Sequence, residues 1–98
     1  MFTGSARICI HLQGVATLKE KRMIVKSVIG RLKSRFNVSA AEIDRLDNKQ
    51  MAVLGIAVVS NDRTFTISQL DTILSFIYND GRFYVGDVKK DVCAFDEF

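Results

Sequence analysis

The sequence predicts a single α+β domain whose elements follow the order βαββαβ. Two segments repeat apolar residues at helical intervals, and four shorter segments have the composition or the two-residue alternation of strands. Each helical segment stands between two strand segments. The 98 residues are enough for one hydrophobic core and too few for two, so residues 1–98 are interpreted as one domain.

The first half of the chain supplies a strand, a long helix and a second strand. Residues 6–13 (ARICIHLQ) alternate between apolar and other side chains, which is the period of a strand. Thr17 and Glu20 have the T-x-x-E spacing of a capping box, so a helix is expected to begin there and to continue to Phe36. Its buried stripe is predicted to contain Val25, Val28, Ile29, Leu32 and Phe36. Residues 37–44 (NVSAAEID) are predicted to form the second strand.

The second half repeats the pattern. Residues 51–59 (MAVLGIAVV) are apolar on both faces, which favours a central strand. Asp62 is expected to cap the second helix, which should end at residues 79–81 (NDG). The predicted buried stripe of this helix consists of Ile67, Leu70, Ile73, Leu74 and Ile77. Residues 82–93 supply the last strand.

This order is the split βαβ, or ferredoxin-like, arrangement: a four-stranded antiparallel sheet with two helices on one face and strands one and three in the middle. Alternation then directs Ile8, Leu54 and their large neighbours toward the helices. The opposite face should carry small, mainly apolar side chains that no other part of the chain covers. Such a face commonly binds a partner, and a second copy of the chain is the simplest one. The predicted interface consists of Arg7, Cys9, His11, Val53, Gly55 and Ala57.

The positive charge is concentrated in the first helical segment. Residues 17–36 carry seven basic residues and one acidic residue, which gives +6, whereas the whole chain has a net charge of +3. Cations in the first turn of a helix oppose its dipole, at a cost of about 0.3–1 kcal/mol each when exposed. Like charges one turn apart also repel. A helix selected for stability alone would carry charges of both signs. The excess of positive charge is explained either by an acidic partner or by a helix face that is only solvated.

The free N–H groups at a helix start suit phosphate, and a basic helix face is typical of nucleic-acid binding. We therefore expect a non-enzymatic RNA-binding protein; the alternative is a homo-oligomeric protein-interaction module with no nucleic-acid role. The residues predicted to contact phosphates are Lys19, Lys21, Arg22, Lys26, Lys33 and Arg35. Base stacking on the sheet is not expected, because the open positions of the two middle strands hold no aromatic residue.

Other function classes receive little support from the sequence. Residues 12–15 (LQGV) resemble the start of the acylphosphatase phosphate loop, but the following arginine and the third-strand asparagine of those enzymes have no counterpart here. No catalytic residue, cofactor or metal site is therefore expected. His11 is the single histidine of the sequence and has no second metal ligand at a suitable spacing. Two cysteines, Cys9 and Cys93, make no disulfide framework, which favours a cytoplasmic protein with reduced, buried thiols. The longest apolar run is too short to cross a membrane.

Two segments carry a family resemblance. Residues 18–44 (LKEKRMIVKSVIGRLKSRFNVSAAEID) and residues 52–62 (AVLGIAVVSND) resemble the signature segments of the small bacterial YlxP-like proteins, a family of unknown function. The resemblance implies a ferredoxin-like fold. It also implies a part in ribosome maturation, since such proteins are commonly encoded beside transcription and translation factors, including ribosome-binding factor A. Residues 45–50 (RLDNKQ) depart from the family, whose members often place an aromatic residue just before the third strand.

Overall fold

A computed structural model describes residues 1–95 and confirms the predicted order of elements. Within these residues no helix is long and apolar enough to cross a membrane. The elements are β1 (Phe2–His11), α1 (Leu18–Arg35), β2 (Ser39–Asp44), β3 (Met51–Ser60), α2 (Arg63–Tyr78) and β4 (Tyr84–Ala94).

The four strands form one antiparallel sheet in the order β2-β3-β1-β4, so β1 and β3 lie in the middle as predicted. β1 and β3 pair along their whole lengths, from Phe2 opposite Ser60 to His11 opposite Met51. Ile8, Ile10 and their large neighbours lie in the core with the buried residues of both helices. The other face of the sheet, here called the open face, carries the alternate residues.

Both helix starts are capped by the residues that the sequence indicates. The Thr17 hydroxyl accepts the backbone N–H of Glu20 at 3.1 Å, and the Glu20 carboxylate accepts the N–H of Ala16 at 3.4 Å. Asp62 Oδ1 accepts the N–H of Phe65 at 2.8 Å, so Asp62 acts as a helix cap. These bonds satisfy N–H groups that have no partner within their own helix.

Two details of the second half differ from the sequence-based expectation. Ile67 was predicted to be buried but is 43% exposed, and the adjacent Thr66 is fully buried instead. The Thr66 hydroxyl donates to the Asp62 carbonyl at 2.8 Å and lies 2.6 Å from the Ser60 hydroxyl oxygen. Since these polar contacts satisfy its hydroxyl, Thr66 can be buried where apolar periodicity alone favours its neighbour.

β1 begins four residues earlier than the alternation indicates, and its first residues pair with both β3 and β4. Gly4 explains why this end can lie under α2. A Cβ atom at Gly4 would stand 2.6 Å from Thr66 Cγ2 and 3.0 Å from Leu70 Cδ1. A residue without a side chain therefore allows α2 to pack closely on β1.

Candidate nucleic-acid interface

One flank of α1 presents a row of exposed cations. Lys19, Lys26 and Lys33 recur every seven residues, so they lie about 10 Å apart along the same side of the helix. Within residues 1–95 these three ammonium groups have no ion pair or hydrogen bond. Arg22 belongs to the same flank, and its Nη2 is 3.9 Å from Asp47 Oδ1, with both side chains mostly exposed. Such an exposed pair contributes little, about 0–1 kcal/mol, so the row remains positive.

The other flank of α1 faces α2. The guanidinium carbons of Arg31 and Arg35 lie 5.2 and 5.1 Å from the centre of the Phe76 ring, which is the geometry of cation–π contacts. Arg31 also reaches Asp80 Oδ2 at 3.4 Å. Arg35, one of the residues predicted to contact phosphates, therefore lies on the flank opposite the lysine row.

Lys21 is not available as a phosphate contact, so this part of the predicted site is corrected. Its side chain is fully buried, and its Nζ donates to the Arg45 carbonyl at 2.6 Å and lies 2.9 Å from Glu42 Oε2. That carboxylate oxygen has no hydrogen bond, so the contact with Glu42 is an ion pair. Lys21 projects from the apolar side of α1 toward β2, where a buried ammonium requires a negative partner.

Arg82 adds to the α1 surface a cation that the sequence pattern did not indicate. It lies in the loop between α2 and β4, and its Nη1 donates to Ser27 Oγ of α1 at 3.1 Å. Two further bonds, of 2.6 and 2.7 Å, join it to the Asp80 carboxylate. The Arg82 hydrogen bond holds the pKa of Asp80 below its usual value, although partial burial acts in the opposite direction. Ser27 and Arg82 are 55 residues apart, so no local pattern could indicate their contact.

The open face of the sheet divides into two halves. One half is a basin of about 490 Å³, and it contains four of the six residues predicted as an interface: Arg7, Cys9, His11 and Val53. The other two, Gly55 and Ala57, lie in an apolar patch with Ile43 and Val59, which are 52% and 61% exposed. Ile43 covers Gly55, since a Cβ there would be 2.9 Å from Ile43 Cγ2. The open face is therefore polar at one end and apolar at the other.

An aromatic residue does reach the open face, from the edge strand rather than from the middle. The Tyr84 ring stacks on His11 with a centroid distance of 5.0 Å and an angle of 17° between the ring planes. The imidazole lies over Gly86, where a Cβ would stand 2.5 Å from Nε2. β1 and β3 bring no Phe, Tyr or Trp side chain to this face, but β4 brings Tyr84, whose ring is 53% exposed.

The two cysteines are free and lie far apart. Cys93 is opposite Thr3 on β1, six residues from Cys9, which corresponds to about 20 Å along the strand. Cys93 is exposed, contrary to the expectation of buried thiols, and its Sγ bonds Asp91 Oδ2 at 3.1 Å. This hydrogen bond raises the pKa of the thiol. Across the described part of the chain, no three His, Cys, Asp or Glu side chains are grouped so that they could hold a metal ion.

The family model described as "Protein of unknown function (DUF503)" matches residues 3–90, which include α1 and the whole basin. The chain belongs to this family. It is similar to the "Uncharacterized protein YlxP" of Bacillus subtilis (strain 168), with 41% identity over 69 residues, or 70% of this chain and 74% of that protein. The YlxP-like resemblance is thus confirmed. Because the DUF503 family is described as of unknown function, a function has to be argued from the site itself.

Proposed function

We propose that this protein is a non-enzymatic, cytoplasmic RNA-binding accessory factor, and that α1 binds phosphates of structured RNA. The observation that carries the proposal is the row of Lys19, Lys26 and Lys33 along one side of α1, without partners among residues 1–95. A role in ribosome maturation or translation is proposed from the genomic setting of YlxP-like proteins.

The carboxylates around α1 support this proposal, because three of them are committed to other contacts and the fourth, Asp47, forms only a long, exposed pair with Arg22. Glu20 bonds the backbone at the helix start, Glu42 pairs with the buried Lys21, and Asp80 is held by Arg82 and Arg31. This flank of α1 is therefore left with unbalanced positive charge, and Arg22 repels Lys19 and Lys26, which lie three and four residues away on the same helix. A phosphate backbone would relieve this repulsion and release its own counterions.

The test compares two variants that lose the same number of charges. Lys26→Gln with Lys33→Gln removes two cations from the row, whereas Arg63→Gln with Lys90→Gln removes two exposed cations elsewhere. Affinity for a ribosomal RNA hairpin is measured by fluorescence anisotropy as a function of salt. If the parent neutralises about four phosphates, log K should fall with log[salt] at a slope of about −3. The α1 variant should reduce that slope by about 1.5, and the control should leave it unchanged.

Absence of binding at low salt would contradict the proposal. Equal losses in the two variants would also contradict it, since binding would then follow net charge rather than the position of the lysine row. The α1 variant should keep the fold because Gln has nearly the same helix propensity as Lys. The control should keep it because the exposed ion pair that Lys90 forms with Asp71 contributes only about 0–1 kcal/mol. Far-UV circular dichroism and thermal unfolding check this.

The apolar patch favours a second candidate function, a homo-oligomeric interaction module. Ile43 and Val59 are more than half exposed on the same sheet face, with the small residue Ala57 between them. Burial of such side chains between two copies would be favourable by about 25 cal/mol per Å² of apolar surface. Light scattering should then give a dimer that Ala57→Glu dissociates and that the α1 variant leaves intact. A monomer at all concentrations would rule this candidate out.

A further inference from the structure

We infer that the basin on the open face binds a nucleotide, with its phosphate between Arg7 and Lys89 and its base on the Tyr84 and His11 rings. This inference rests on the proposed RNA-binding function and extends it to a second surface, on the other side of the sheet from α1. The cavity volume of about 490 Å³ is within the range of sites for small organic ligands.

The charges in the basin point to an anionic ligand. Arg7 on β1 and Lys89 on β4 are directly opposite each other in the antiparallel ladder. Like charges in this position destabilise a sheet. Within the described residues neither side chain, nor that of Arg45, forms an ion pair or a hydrogen bond. A phosphate between the first two cations would replace their repulsion with charge-assisted hydrogen bonds.

Two β-bulges shape the walls of the basin. In β4, Gly86 and Asp87 lie between the pairs Ile8–Val88 and Ile10–Val85, opposite the single residue Cys9. In β2, Ile43 is the additional residue between the pairs Glu42–Leu54 and Asp44–Val53. A bulge changes the direction of neighbouring side chains and is frequent beside binding sites. As a result, Asp44 and Asp87 both line the basin.

The carboxylates of Asp44 and Asp87 limit which anion can bind in the basin. They belong to the two edge strands, and three strand spacings separate their backbones by about 14 Å. They are therefore too far apart to hold one metal ion between them. The Asp87 carboxylate and the second oxygen of Asp44, whose Oδ1 accepts the Arg45 N–H, can each accept a hydrogen bond from a ligand. A ribose hydroxyl and the amino group of a base are donors, so a nucleotide satisfies both the cations and the carboxylates, whereas inorganic phosphate satisfies only the cations.

Arg45 is held in place from both sides of the sheet. It has a left-handed backbone with φ of 59°, which is uncommon for a residue with a side chain. Asp44 Oδ1 accepts its N–H at 2.8 Å, and the buried Lys21 ammonium donates to its carbonyl at 2.6 Å. The buried Lys21 ammonium thus contacts the backbone of a residue that lines the basin. A constrained backbone conformation of this kind is often found at ligand sites.

The aromatic end of the basin suits a base. Tyr84 is stacked on His11, which lines the cavity, and a planar base can extend this stack. Because Gly86 has no side chain, the His11 imidazole can lie directly over it. The expected ligand is therefore a nucleotide of a single RNA strand or a free nucleotide, since a duplex does not expose the faces of its bases.

The test measures fluorescence anisotropy of a labelled single-stranded 8-mer oligoribonucleotide at moderate salt. Arg7→Gln with Lys89→Gln should weaken binding about tenfold or more, and Tyr84→Leu about fivefold or more. The control is Arg63→Gln with Lys90→Gln, which also removes two cations. Lys90 is the residue after Lys89 in β4, and its ammonium pairs with Asp71 at 2.7 Å on the helix side of the sheet. The control should stay within about twofold of the parent, as expected for surface substitutions.

Competition with adenosine monophosphate assigns the source of the ligand. Displacement of the oligoribonucleotide shows that a free nucleotide suffices, and a lack of displacement shows that the strand is required; both results retain the site. The inference is overturned if the parent binds neither probe, or if the Arg7 and Lys89 variant binds the 8-mer as well as the Arg63 and Lys90 control does. The two proposals can fail separately. If the 8-mer shows no dependence on Arg7 and Lys89 but Lys26→Gln with Lys33→Gln weakens binding of the RNA hairpin, only the basin inference is refuted. If the α1 variant binds the hairpin as well as the parent does but the Arg7 and Lys89 variant loses affinity for the 8-mer, only the α1 proposal is refuted.

Discussion

Lys21→Met should destabilise this protein far more than the same substitution at Lys26, one and a half turns further along α1. Lys21 is fully buried, and its ammonium contacts Glu42 at 2.9 Å and the Arg45 carbonyl at 2.6 Å. Lys26 is exposed and has no partner among residues 1–95. Since Lys and Met have similar helix propensities, the difference between the two variants measures the buried contacts.

The magnitude follows from what the substitution leaves behind. Removal of one partner of a buried ion pair typically costs about 3–5 kcal/mol, because the other charge remains buried and uncompensated. The Glu42 side chain is 14% exposed, so water reaches it and the lower end of that range applies, about 3 kcal/mol. With a slope of about 2 kcal/mol/M in urea, the midpoint of unfolding should fall by about 1.5 M. Lys26→Met should shift it by no more than about 0.25 M.

The assay is equilibrium urea unfolding of the parent and both single variants at pH 7, followed by circular dichroism. The double variant Lys21→Met with Glu42→Leu should be more stable than Lys21→Met alone, because it removes the orphaned carboxylate. Equal midpoints for Lys21→Met and Lys26→Met would refute the reasoning. So would a double variant that is no more stable than Lys21→Met, since the loss would then not come from the carboxylate.

Three other predictions concern packing, pH and thiol reactivity. Gly4→Ala should lower the free energy of unfolding by about 1–3 kcal/mol, since its Cβ would stand 2.6 Å from Thr66 Cγ2. Gly30→Ala is the control, because a Cβ there would have no atom within 4 Å, and it should raise the free energy of unfolding by up to about 1 kcal/mol in the same urea assay. Asp80→Asn should destabilise the protein at pH 7. Because the pKa of Asp80 is lowered on folding, its contribution is present above the ordinary value of 3.8 and disappears as the pH falls through the lowered pKa; parent and variant should therefore converge in acid, and a difference that persists there would contradict this. Asp91→Asn should make Cys93 react faster with a thiol reagent at pH 8, because Asp91 raises the pKa of that thiol; an unchanged rate would show that the hydrogen bond does not control reactivity.

Much of the fold could be predicted because its signals are local. The 3.6-residue period identifies α1 and α2, and the caps Thr17 and Asp62 indicate where they begin. The two-residue alternation in β1 and the continuous apolar run in β3 indicate strands, and the order of elements then leaves few topologies. The core side of the sheet follows from the same alternation, which requires no knowledge of what packs against it.

Only part of the candidate sites could be predicted from such local patterns. The exposed row of Lys19, Lys26 and Lys33 follows from helical spacing. The same spacing places Lys21 beside the apolar stripe, four residues before Val25, but only the tertiary structure shows that its ammonium is buried against Glu42 and the Arg45 carbonyl. Arg82 joins the α1 surface through Ser27, which is distant in sequence. Tyr84 reaches His11 through the pairing of β1 with β4.

The sequence by itself determined the order of elements, most of the apolar core and the location of the positive charge, since each depends on the spacing of neighbouring residues along one helix or strand. The tertiary structure alone decided which cations are free, which half of the open face is a basin, and that Arg7 opposes Lys89 beside an aromatic stack. The physical reason is that register and bulges are set by pairing between strands, and one additional residue turns a side chain to the other face of the sheet.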